Sequence, residues 1–263
     1  RLRAMISRQE RFSADASHQL KTPLAVLKTQ ASVALASGDP RLWRESLEAM
    51  SGTLDSTILL TERLLQLATI KRKEQGEHAF PPVDLYEIVH NSCFSRLQQA
   101  RSKAIDLGYE GEPSTVTIAG DGVLLSELCA NLLDNAIRYT PQGGIVTVSL
   151  HREGEAVLLD VEDSGPGIDD AQIQQALMPF HRLENVGDNP GAGLGLALVS
   201  DIARLHRSHP QLLRSETLGG LKVRLRFLTV GSEWAFQGER LPGRLVQIIV
   251  GKIFRFYPGV VLK

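Results

Sequence analysis

Four short stretches of this 263-residue chain carry residue types that could do chemistry together. In SADASHQLKTPLAVLKTQ, residues 13–30, His18 supplies an imidazole. Imidazole has an ordinary pKa of about 6.5, so near neutral pH it is available as a nucleophile. In ELCANLLDNAIRYT, residues 127–140, Asn131 and Asn135 fall on one helix face, with Glu127 one turn earlier. Asparagine carbonyls are hard oxygen ligands, suited to Mg²⁺ that bridges phosphates. In DVEDSGPGID, residues 160–169, Asp163 is followed by Gly165 and Gly167, which let the backbone approach a ligand closely. In GAGLGLALV, residues 191–199, Gly191, Gly193 and Gly195 lead into a helix start, a place for phosphate on free N–H groups. Taken singly, each stretch has a plainer reading: a surface histidine, two polar residues on a solvated face, a common glycine-rich loop.

The elements that must position these residues can be read from periodicity. On a helical wheel Ser17, Leu20, Leu24, Leu27, Ala31 and Ala34 cluster, and His18 falls roughly 150° from their centre, toward solvent. Thr22 shares the face of His18, and Pro23 removes one backbone hydrogen bond and is expected to bend the helix there. Gly38, Asp39 and Pro40 mark a helix end and a new start. A second helix to Lys73 carries Leu47, Met50, Leu54, Ile58, Thr61, Leu65 and Ala68 at steps of three and four. Two helices bury too little alone, so a dimeric four-helix bundle is the natural completion.

Pro81 and Pro82 mark a linker. Beyond it lie a helix from Leu85, a short strand in STVTIAG, the helix of the asparagine stretch, a hairpin turning at Glu153-Gly154, a helix from the glycine stretch and a last strand LKVRLRFL. This order reads as α+β. The expected domains are residues 1–75 (hairpin), 76–84 (linker), 85–230 (second domain) and 231–263 (tail).

Composition is that of a globular chain, 43% hydrophobic and 22% charged with net charge −1, so no electrostatic footprint for nucleic acid is expected. Cys93 and Cys129 have no metal-ligand spacing, and Cys129 lies in an apolar run that suggests a buried thiol. No run approaches the ~20 apolar residues of a membrane span. The chain opens inside a helix and reads as a cytoplasmic piece of a longer protein.

In this order and spacing the four stretches resemble the sensor histidine kinases of two-component signalling. The histidine box is SHQLKTPL, the asparagine box NLLDNAIRYT, and the glycine boxes DSGPGI and GAGLGLALV. The histidine box most resembles tricarboxylate-transport-type sensor kinases. The resemblance implies a homodimeric hairpin domain with His18 as phospho-acceptor, followed by a Bergerat-fold ATP-binding α/β sandwich. ATP and Mg²⁺ are implied as substrate and metal, and the receiver domain of a response regulator as partner. Asn135 matches the Mg²⁺ ligand, and Asn131 lines the same metal-phosphate site. Arg138 and Tyr139 match positions contacting phosphate and the adenine edge. Asp163 matches the carboxylate that accepts from the adenine amino group, with Gly165 and Gly167 letting adenine lie against the loop. Gly191, Gly193 and Gly195 match the border of the phosphates at the end of a mobile lid, where Phe180 matches a lid phenylalanine. Thr22 matches a position that orders water for dephosphorylating the regulator. The implied parent protein is anchored in the bacterial inner membrane through segments upstream of this chain.

Two departures matter: Gln19, and the lid segment DDAQIQQALMPFHRLENVGDNPGAG, which differs from the common form where ERFYR-like sequence precedes the glycines but keeps the phenylalanine and the arginine in MPFHR. The residue after the phospho-acceptor is usually acidic in this family and assists as a base, whereas here it is Gln19, which cannot take a proton. A dimeric scaffold acting mainly as a phosphatase or docking platform is the competing reading, while a gyrase- or MutL-type ATPase would have no use for SHQLKTPL. The tail 231–263 has five Lys/Arg (Arg240, Arg244, Lys252, Arg255, Lys263) against two acids (Glu233, Glu239), hence net +3, and five aromatic residues. It is expected to be a poorly ordered extension.

Overall fold

The computed structural model describes residues 2–73, 80–111, 114–181 and 193–230. Helix α1 spans Leu2–Ala36 and α2 Pro40–Lys73. The Asp39 carboxylate accepts from the Arg41 N–H at 2.9 Å, and Pro40 takes the first helical position, where its missing N–H costs nothing. Gly38 lacks the left-handed φ expected of a helix end. The Trp43 indole closes the loop instead, donating to the Ser37 carbonyl at 2.7 Å. Helix α1 continues through Pro23, which leaves the Gln19 carbonyl without its helical donor.

The apolar stripes divide where the sequence suggested one on each arm. Leu20, Leu27, Ala31 and Ala34 of α1 are half-buried, as are Met50, Thr53, Thr57 and Leu64 of α2. Thr53 Oγ1 donates to Gln30 Oε1 across the hairpin at 3.5 Å. Ser17, Leu24, Leu47, Leu54, Ile58, Thr61, Leu65 and Ala68 form a second, exposed set; Leu47 and Leu65 are 62% and 64% exposed.

The remaining elements are β1 (Pro82–Asp84), α3 (Leu85–Ser102), β2 (Asp106–Glu110), β3 (Thr117–Ala119), α4 (Gly122–Tyr139), β4 (Ile145–Glu153), β5 (Ala156–Asp163), α5 (Ile173–Ala176), α6 (Gly195–Leu205), β6 (Gln211–Arg214) and β7 (Leu221–Leu228). The end of the expected linker is therefore structured: β1 pairs antiparallel with β3. The main sheet runs β2-β4-β5-β7-β6, with β2 parallel to β4 and the other pairs antiparallel. The β4–β5 hairpin turns at Gly154, whose φ is +59°. Strand alternation sends Val146, Val148, Val157, Leu159, Val161, Val223, Leu225 and Phe227 into the core, where they meet buried Leu125, Leu128, Leu132, Leu133 and Ile137 of α4. At roughly 25 cal/mol per Å² this apolar burial is the main stabilising term. Cys93 and Cys129 are buried in the same core, and burial raises their thiols to about 11 and about 12.

The start of α4 is fixed twice. The Asp121 carboxylate caps it, accepting from the Val123 and Leu124 N–H groups at 3.1 and 3.2 Å. The Asp121 N–H donates to His206 Nε2 at 3.0 Å, and that ring stacks on Phe80. Helix α2 packs on α6, and Leu60, Leu67 and Ile70 are buried within the core. The hairpin is thus docked on the second domain by an apolar face that the sequence reading had not separated from the exposed stripe. Among the described residues no helix is long and apolar enough to cross a membrane. The tail 231–263 lies outside the described residues.

Candidate active site

A cleft opens between α4, the loop after β5 and the start of α6. Its walls include Asn135, Arg138, Tyr139, Asp163, Gly167, Gly193 and Gly195. These residues are up to 60 positions apart in the chain, and the fold brings them together.

Asp163 ends β5 and is 5% exposed. One of its oxygens, Oδ1, accepts from the Gly165 N–H at 2.8 Å and the Leu221 N–H at 3.1 Å. Burial raises this carboxyl above its ordinary value, and the two N–H groups offset part of that. Gly220 is needed here: a Cβ on it would stand 2.3 Å from the Asp163 carbonyl oxygen and 2.4 Å from Oδ1. The sequence reading missed Gly220, although the Gly219-Gly220 pair just before the last strand was a visible signal.

Asn135 lies half-buried on α4 with its amide against Gly195, where a Cβ would sit 3.0 Å from the amide nitrogen. The absence of a side chain at Gly195 gives that amide room to turn. Asn131, expected to line the same site, lies one turn earlier on α4. It is buried, it is not among the cleft-lining residues, and its Nδ2 donates to the Glu127 carbonyl at 2.9 Å and to Glu127 Oε1 at 3.1 Å. The i,i+4 spacing puts both asparagines on one side of α4, and the helix lines the cleft with Leu132, Asn135, Ala136, Arg138 and Tyr139.

Gly193 adopts φ +65°, and a Cβ on it would come within 2.8 Å of the His181 carbonyl. Its own carbonyl accepts from the Phe180 N–H at 3.0 Å, and Phe180 has φ +66°. Phe180 packs against the core rather than among the cleft-lining residues. A Cβ added to Gly165 would stand 2.9 Å from both Asp163 Oδ1 and the Tyr139 carbonyl oxygen, so the turn beside the cleft leaves no room for a side chain there. Gly191 lies outside the described residues.

On the hairpin, His18 is exposed, as expected, and Gln19 is half-buried. Thr22 is exposed, and its Oγ1 donates back to the His18 carbonyl at 3.3 Å. A second residue missed from the sequence is Arg63 of α2, which lines the cleft beside Arg138.

The likeness to known proteins agrees with this geometry. Residues 8–73 match the model of the His Kinase A (phospho-acceptor) domain, and residues 120–230 that of the histidine kinase-, DNA gyrase B- and HSP90-like ATPases. The chain belongs to the two-component sensor histidine kinases. Among these kinases it is 34% identical to the sensor protein kinase PmrB of Pseudomonas aeruginosa over 78% of this chain and 43% of that protein. It is 32% identical to the signal transduction histidine-protein kinase/phosphatase MprB of Mycolicibacterium paratuberculosis, over 76% of this chain and 38% of that one. The chain spans about half or less of the length of these curated relatives. The solved histidine kinase AdeS of Acinetobacter baumannii shares the fold at 20% identity, with TM-score 0.59 over 80% of this chain and 97% of that one.

Proposed function

We propose that this chain is a kinase core that phosphorylates His18 from ATP and passes the phosphoryl group to an aspartate of a response-regulator receiver domain. The observation that supports it most is the pairing, in one chain, of an exposed histidine on a helical hairpin with a cleft lined by Asn135, Asp163, Gly193 and Gly195. The free oxygen of Asp163 accepts from the adenine amino group, and Tyr139 and Gly167 lie along the base. Arg138 and the N–H groups at the start of α6 face the phosphates. Asn131, its amide held by Glu127 one turn before Asn135, lines the same metal-phosphate site.

Asn135 is the residue to hold Mg²⁺, since its amide oxygen is a hard donor and Gly195 leaves it room. When bound, Mg²⁺ withdraws charge from the phosphate oxygens. The imidazole lone pair of His18 forms the P–N bond as the bond from the γ-phosphorus to the bridging oxygen breaks, and ADP leaves. The ring proton goes to water, because the Gln19 amide cannot accept it. The P–N bond is labile, which suits onward transfer.

The exposed stripe of Leu47, Leu54, Ile58 and Leu65 is the face that closes a four-helix bundle in a homodimer. Thr22 orders water for regulator dephosphorylation; MprB is itself named a kinase/phosphatase. The parent protein is anchored in the bacterial inner membrane by segments outside this chain. Likeness to tricarboxylate-transport-type sensors rests on the histidine box alone. The division into residues 1–75, 76–84 and 85–230 is our reading of where these roles separate. Incubation with γ-labelled ATP, followed by acid and by base, tests the reaction: label lost in acid and kept in base is expected. No label, or acid-stable label, overturns it.

A further inference from the structure

Arg63 belongs to the helical hairpin, yet its side chain lines the cleft of the second domain. It lies on the α2 face that carries the buried Leu60, Leu67 and Ile70. Its charged surroundings are Arg138, Asp134 and Glu127, all on α4. Both acids are already engaged: Asp134 with Arg96 at 3.3 Å, and Glu127 with Asn131 at 3.1 Å. Neither the Arg63 nor the Arg138 guanidinium has a hydrogen bond or ion pair among the described residues. Two cations therefore share one half-buried cleft wall without a committed anion. That arrangement is unfavourable unless an anion bridges them, and guanidinium forks match phosphate oxygens. Arg63 is also placed for it along the hairpin. The Thr53–Gln30 contact sets the antiparallel register, so Arg63 is about level with Leu20 and roughly 3 Å along the axis from the level of His18.

We infer that Arg63 is a polyphosphate-binding residue that the hairpin supplies to the nucleotide site, so that nucleotide binding and domain docking reinforce each other. The inference rests on the reading of the cleft as an ATP site. It makes the docked hairpin part of the site: a nucleotide bridging Arg63 and Arg138 holds α2 against α4 and α6.

The test compares ATP with adenosine on the full 263-residue chain, by competition against a fluorescent nucleotide in Mg²⁺ buffer, for the unmodified protein, Arg63→Gln and Arg63→Lys. Loss of a charge-assisted hydrogen bond predicts about tenfold weaker ATP binding in Arg63→Gln. Adenosine affinity should be unchanged, and Arg63→Lys should recover part of the loss. ATP affinity within twofold of the unmodified chain overturns the inference, as does an equal loss for adenosine, which would mean a structural role. If Arg63→Gln does not fold, Arg63→Lys decides: a several-fold loss for ATP alone supports the inference and no loss overturns it. An unmodified chain that binds no ATP overturns the nucleotide reading itself, and this inference with it.

Discussion

Replacing Asp163 by asparagine should weaken ATP binding while leaving the fold as stable or more so. Asparagine keeps an oxygen for the Gly165 and Leu221 N–H groups, which lie 2.8 and 3.1 Å from Oδ1. That orientation turns the new NH₂ toward the cleft, where it meets the adenine amino group, donor against donor. Losing a hydrogen bond to a charged acceptor costs about 1.5–3 kcal/mol, or roughly tenfold to a hundredfold in Kd. The stability effect runs the other way. Burial raises the Asp163 carboxyl, so the folded chain holds that proton more tightly than the unfolded one. Its favourable contribution is complete below the ordinary carboxylate range and is lost as pH rises through the folded value. At neutral pH the buried charge is a net cost, which asparagine removes. The gain in melting temperature should therefore appear at pH 7 and shrink toward acid. Asp163→Ala is the contrast: it leaves two N–H groups without an acceptor and should destabilise by about 2 kcal/mol or more. Calorimetry with ATP and melting followed by circular dichroism on both variants are the assays. Unchanged ATP affinity in folded Asp163→Asn, or a melting temperature as low as that of Asp163→Ala, would refute the reasoning.

Leu54→Glu should dissociate a dimer seen by light scattering at about tens of micromolar while the helical hairpin survives, because Leu54 is exposed in the single chain. Leu27→Glu, on the half-buried inner face, should lower helicity as well; equal loss of helicity in both would contradict the division of the stripes. Gln19→Glu should speed autophosphorylation, by up to about a hundredfold if proton removal limits the rate, and an unchanged or slower initial rate would reject the base argument. Thr22→Ala should slow regulator dephosphorylation and spare His18 phosphorylation; parallel loss of both would mean that its bond to the His18 carbonyl matters only for helix geometry. Arg224→Met should cost about 1–3 kcal/mol, because the buried Asp160 accepts from Arg224 Nε and Nη2 at 2.8 and 2.7 Å and would keep only Lys222; urea unfolding with an unchanged midpoint would contradict this.

Legibility in the sequence followed locality. The hairpin helices, α4 and the β4–β5 turn depend on patterns within a few residues and could be read directly. Strands β2 and β6 could not. Asp106–Glu110 is short, carries Gly108, and is held by parallel pairing to β4 some 40 residues on. Gln211–Arg214 is a four-residue edge strand with no alternation of its own to detect. The same holds in the site. Asp163 and Asn135 stand out by type and neighbours, and i,i+4 spacing puts Asn131 on the side of α4 that carries Asn135, but spacing alone does not tell that the Asn131 amide is engaged by Glu127. Arg63 carried no local signal: it is one arginine in a charged helix until α2 docks on α6.

The central claim, phosphoryl transfer from ATP to His18, is tested most directly by intact-mass and peptide mass spectrometry at neutral pH. The chain should gain one phosphoryl group per protomer on incubation with ATP and Mg²⁺, mapping to His18 and absent in His18→Gln. Phosphate on another residue, or an unchanged gain in His18→Gln, would contradict it.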